Sequence, residues 1–109
     1  MIKELLTSAG FIENKTFRKT RFMQPPKDTY AIYMDDIEND GPDGINAIRT
    51  HDYTIELYSY KPDDSAEERI EAELDRAGLR WSKQDRYWIQ SEQLYQTVYD
   101  FQYIEKRRI

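Results

Sequence analysis

An α+β fold is predicted from three features of this 109-residue sequence: one mixed, largely antiparallel sheet, a strand–helix–strand crossover and a short N-terminal helix. Residues 51–60 alternate with a period of two, Tyr53, Ile55 and Leu57 to one side and Thr54, Glu56 and Tyr58 to the other. Ala66, Ile70, Leu74 and Ala77 recur at three- and four-residue spacing, as one buried stripe of a helix does. Residues 94–104 return to a period of two, with Tyr95, Thr97, Tyr99, Phe101 and Tyr103 on one face.

Taken in order, Ile2, Leu5, Leu6 and Ala9 have helical spacing, and Gly10 supplies the left-handed stop. Phe17 among Lys15, Arg18, Lys19 and Arg21 suggests an extended segment, closed by Pro25 and Pro26, which cannot donate to a ladder. Residues 30–34 read as a strand. Residues 35–50 read as a long acidic loop holding Asp35, Asp36, Glu38, Asp40 and Asp43, long enough to suggest a partner contact. After the strand at 51–60, Pro62, Asp63, Asp64 and Ser65 open the helix and Gly78 ends it, with its acids turned to solvent. Residues 79–83 begin another strand, Gln84 and Asp85 turn, and 87–89 form a short return strand before the last one. The strands flanking the helix can run parallel through a right-handed crossover, and the others pair antiparallel with helices mainly on one face.

The length fits a single domain, 1–109, with an expected radius of gyration of about 13 Å and little room for an enclosed cleft. Sixteen Lys and Arg against 21 Asp and Glu give a net charge of −5, which argues against general nucleic-acid binding. Cysteine is absent, which removes disulfides, thiolate chemistry and Cys-built zinc sites and fits an intracellular compartment. No apolar run approaches the roughly 20 residues that span a bilayer, and residues 1–12 do not resemble a signal peptide.

Motifs for chemistry are sparse. His51 is the single histidine, expected at the surface or at a strand edge; it excludes a His cluster for metal, and any nucleophilic triad would need it as the base. Gly10, Gly41, Gly44 and Gly78 form neither a dinucleotide fingerprint nor a phosphate loop, so no cofactor is expected. Asp36, Glu38, Asp40 and Gly41 match four positions of a calcium loop, but Ala47 stands where its bidentate Glu belongs. A Pro-Asp nuclease pattern fails because Glu13-Asn14-Lys15 precedes both Pro42-Asp43 and Pro62-Asp63. The basic groups, Lys15, Arg18, Lys19 and Arg21, then Lys106, Arg107 and Arg108, read as a charged sheet edge and tail or as contacts to acids of a neighbouring copy. The acids at 35–43 and the bases at 15–21 are thus the candidate oligomer and partner contacts.

The strand Tyr53-Thr54-Ile55-Glu56-Leu57-Tyr58, the helix end Leu74-Asp75-Arg76-Ala77-Gly78, Trp81-Ser82-Lys83, and above all Ser91-Glu92-Gln93-Leu94-Tyr95-Gln96-Thr97-Val98-Tyr99-Asp100-Phe101 carry a family likeness. Over its C-terminal half the chain resembles small head–tail joining proteins of phages and prophages of Gram-positive bacteria, of the tail-completion or tail-terminator kind. The resemblance implies a non-enzymatic structural virion protein with an α+β fold. Its copies would form a six-fold ring at the head-proximal end of the tail, contacting the tail-tube protein and the head connector or completion protein. It would assemble in the host cytoplasm, with DNA only passing through its lumen, and the acidic segment is the candidate for ring contacts or lumen. The alternatives are a head-completion adaptor and a small cytoplasmic acidic binding module, either inhibitor or adaptor.

Overall fold

The computed structural model describes residues 1–40 and 48–106. Of the positions singled out above, Gly41, Pro42, Asp43, Gly44, Ala47, Arg107 and Arg108 lie outside that set. The described elements run α1 (Ile2–Ser8), β1 (Phe17–Lys19), β2 (Tyr30–Asp40), β3 (Ile48–Ser59), α2 (Asp64–Arg76), β4 (Trp81–Lys83), β5 (Tyr87–Ile89) and β6 (Leu94–Lys106).

Six strands form one mixed sheet in the order β1-β2-β3-β6-β4, with β5 also on β6. Among the described strands the β1–β2 pair alone is parallel; β2–β3, β3–β6, β4–β6 and β5–β6 are antiparallel. Because β3 and β4 both oppose β6, they run parallel to each other, as a strand–helix–strand unit requires, but β6 is inserted between them.

The period of two in β3 and β6 sorts the sheet into two faces. One carries Phe17, Ala31, Tyr33, Tyr53, Ile55, Leu57, Tyr99 and Phe101, which share a core with Ile2, Leu5 and Leu6 of α1 and Ala66, Ile70 and Leu74 of α2. Both helices therefore lie on this face. Burying each large apolar side chain here contributes about 1.5–3 kcal/mol.

Local chemistry sets the helix ends. At the start of α2 the Asp63 carboxylate accepts from the Ala66 N–H at 3.0 Å and from the Thr29 hydroxyl at 2.6 Å. At its end Gly78 takes φ +71°, and the Gly78 and Leu79 N–H groups reach back to the Asp75 and Leu74 carbonyls. Gly10 closes α1 at φ +97°.

Four expectations are corrected. The acidic segment is not a loop at its ends: β2 continues through Asp40 and β3 begins at Ile48, so Asp35, Asp36, Glu38 and Asp40 are strand residues paired with Tyr53, Asp52, Thr50 and Ile48. Cross-strand pairing with Tyr53, Thr50 and Ile48 outweighs the poor strand propensity of Asp and Glu, even with Asp36 set opposite Asp52. Extended backbone also removes the turn that a calcium loop needs at these positions. Ala77 is exposed, because it caps the helix beyond its last turn, while Glu67 in the first turn is buried beside Ala66 and Ile70. The acids of α2 are consequently not all turned to solvent. His51, expected at the surface, is 6 % exposed in an interior strand.

The molecule is longer than a sphere of its mass, with a radius of gyration of 15.2 Å and extents of 49 × 29 × 23 Å. The excess length is the three-stranded ribbon of β2, β3 and β6.

Candidate functional site

The face opposite the helices is the strongest candidate for function, since among the described residues no helix covers it. The strand registers build it row by row. Asp36, Asp52 and Gln102 form one row, Met34, Thr54, Asp100 and Ser82 the next, and Ile32, Glu56 and Val98 a third. Glu38, Thr50 and Ile104 make the row nearer the ribbon end. Five carboxylates, Asp36, Glu38, Asp52, Glu56 and Asp100, thus share one open surface.

Neutral side chains space these acids. The Thr54 hydroxyl donates to Asp100 at 2.7 Å and the Gln102 amide to Asp52 at 2.8 Å. The Tyr58 hydroxyl donates to Glu56 at 2.7 Å and accepts from the Gln96 amide at 2.9 Å. Burial and the bond to Glu56 push the Tyr58 phenol well above its ordinary value. An open depression of about 770 Å³ lies over Asp52, Thr54, Ser82, Asp100 and Gln102, with Arg80 at its rim. The near end of the same face is closed by aromatics. Tyr30 stacks on Tyr58 with ring centroids 5.2 Å apart, and Phe22 meets Tyr30 edge-on at 5.6 Å.

The sequence-predicted contacts divide between surfaces. Asp36 and Glu38 stand exposed on the acidic face, whereas Asp35 points the opposite way and is largely buried. Lys15, Arg18, Lys19 and Arg21 are exposed around β1, at the sheet edge beyond β2. The bases therefore border the acidic face and do not neutralise it from within.

On the helix side, Asp35 meets His51, whose Nδ1 lies 2.9 and 3.0 Å from the two carboxylate oxygens; Nε2 stands 3.3 Å from Glu105. The ring packs parallel to Tyr53 at 5.2 Å and tilted against Tyr103 at 5.9 Å. Burial, then Asp35, pushes the Tyr53 phenol up to about 12. This trio ties β2, β3 and β6 together where the ribbon leaves the cover of the helices. Sequence reading missed it, because it arises from register: Asp35 lies one strand-pair step from His51, and Glu105 is 54 residues away in sequence.

A second ionic cluster joins α2 to the sheet. Glu67, 5 % exposed, accepts from Arg86 at 2.9 Å and from the Thr97 hydroxyl at 3.2 Å, and pairs with Lys83 at 2.8 Å. Glu71 pairs with Lys83 at 2.8 Å and accepts from the buried Tyr99 hydroxyl at 2.7 Å. Burial pushes the Glu67 carboxyl up, but Lys83 and Arg86 outweigh it and hold the group below its ordinary value. Every member has a partner, and among the described residues no buried side-chain polar atom lacks one. The cluster is a fastening between α2, β4 and β6.

Among the described residues no three His, Asp or Glu side chains are grouped to hold a metal ion. No helix there is long and apolar enough to cross a membrane. No protein-family model matches the chain, and comparison with curated proteins finds no significant match.

Proposed function

We propose that this chain is a structural subunit of the phage head–tail interface, of the tail-terminator or tail-completion kind, acting by ring oligomerisation and docking. The observation that carries the reading is the open acidic sheet face on a small elongated domain. Asp36, Glu38, Asp52, Glu56 and Asp100 lie across three adjacent strands, and the cations stand at the margins: Arg18 on β1, Arg80 beside β4 and Lys106 at the end of β6. Like charges spaced this way repel one another and repel a polyanion. That suits the wall of a passage through which DNA slides without sticking. The sequence resemblance of the last strand supplies the setting, with the tail-tube protein below and the head connector or completion protein above.

Electron microscopy of phage particles made without this protein tests the reading. Overlong tails, or heads and tails that fail to join, are the expected outcome. Normal, infectious particles would sink it. A quadruple variant, Asp36→Asn, Glu38→Asn, Asp52→Asn and Asp100→Asn, tests the passage itself: particles should still join but eject DNA more slowly.

A further inference from the structure

The ribbon end of the sheet has two open edges. Among the described residues, β1 pairs with β2 only over Ala31–Tyr33, and β4 pairs with β6 only over Tyr99–Phe101. Beyond those points β2 to Asp40 and β6 to Lys106 each have a strand partner on one side alone, namely β3. Long unpaired edges are normally blunted, because they recruit other chains.

Backbone alternation says which peptide groups face outward. The Ala31 N–H reaches Thr16 and the Tyr33 carbonyl accepts from Thr20, both on the β1 side. Continuing by twos, the groups of Asp35, Ile37 and Asn39 face the same open edge. On the other edge the Val98 carbonyl accepts from Gln84, so the groups of Gln102, Ile104 and Lys106 face outward. Each edge offers three consecutive outward-facing peptide units.

We infer that a second copy of this chain occupies these edges, β2 of one copy pairing with β6 of the next to continue the sheet. The inference rests on the ring reading above and names its contact. Both strands run towards the ribbon end, since each opposes β3, so in a continued sheet the new pair is parallel. Charge selects this pairing over the others. Two β2 edges would set Asp36 and Glu38 against their own copies, and two β6 edges would do the same with Lys106. The mixed pairing brings Asp36 and Glu38 alongside Gln102, Ile104 and Lys106 on the acidic face. It also covers Ile37 and Ile104, which are 42 % and 58 % exposed. On the helix side Ile37 comes against the next copy's Tyr103 row, while Glu105 stays engaged with His51. The contact is head-to-tail, which closes into a ring when the rotation allows. It keeps the acidic faces together on one side of the assembly and the helices on the other.

Two variants test the pairing. Ile37→Pro removes an outward N–H while leaving the β2–β3 ladder intact, a substitution that edge strands accept. It should preserve the circular dichroism and melting of the monomer and abolish assembly, measured by sedimentation over a wide concentration range and by incorporation into particles. In the naturally cysteine-free chain, Glu38→Cys with Ile104→Cys should give a ladder of disulfide-linked oligomers under mild oxidation, and either single variant should give none. Assembly of Ile37→Pro at the wild-type level, or dimers of Glu38→Cys alone, overturns edge pairing while leaving the ring reading standing. A wild-type chain that stays monomeric alone and is absent from particles overturns both.

Discussion

At the scale of single residues, several polar groups fasten the apolar core's surroundings with partners that come from other elements. Asp63 caps α2 and also receives the Thr29 hydroxyl. Asp63→Ala should cost about 1 kcal/mol, within the usual 0.5–2 for a lost cap, read from urea unfolding. The Thr29 hydroxyl, then the Ala66 N–H against opposing burial, holds the Asp63 carboxyl below its ordinary value; Lys83 and Arg86 hold Glu67 down against its own burial. Groups depressed on folding add stability that is fully present above their ordinary values, 3.8 and 4.5, and is lost as pH falls through the lower folded ones. Lys83 works in the opposite sense. Burial lowers it, Glu67 and Glu71 raise it further, and its contribution is present below 10.5 and lost as pH rises through the raised value. Melting temperatures followed down through the carboxylate range should fall, and Glu67→Gln should flatten that slope. An unchanged slope in the variant would show that the cluster carries no such linkage. Tyr99→Phe, which frees Glu71 of one buried hydroxyl, should cost about 1 kcal/mol in the same unfolding measurement.

At the scale of elements, the parts written by local periodicity were legible in the sequence. Both helices, β3, the short strands and the inward row of β6 follow from spacing and from Gly10 and Gly78. The ends of the β2–β3 ribbon were not. Asp and Glu are weak strand formers, and Asp35, Asp36, Glu38 and Asp40 enter β2 because Tyr53, Asp52, Thr50 and Ile48 pair with them from β3. The same non-local cause hid the His51 trio and the burial of Glu67, since each depends on a partner from a separate strand. Of the predicted contact residues, Asp36 and Glu38 share one face, the bases gather at one edge, and Asp35 belongs to an internal tie. The ribbon leaves the helices behind and has open edges, so its amides should exchange faster than those of Ile55, Leu57 and Tyr99 beneath α2. Hydrogen exchange by NMR reads this directly. When copies assemble, protection should rise at Ile37 and Ile104 and stay level beneath α2.

At the scale of the whole molecule, net charge and size acquire a shape. Five of the 21 acids stand together on one sheet face with cations at its margins, and in a molecule 49 Å long the β2–β3–β6 ribbon extends past the helix-covered core. Among the described residues there is one core, one helix-covered sheet face and one that no helix covers. The molecule's surface offers an acidic face and two open edges, which the proposed ring would use as wall and contacts. Cryo-electron microscopy of the head–tail junction tests the account most directly. The expected result is a ring of this chain at the head-proximal end of the tail, with the face bearing Asp36, Asp52 and Asp100 lining the channel and α2 outside. Particles in which the junction is complete and this chain is absent would contradict it.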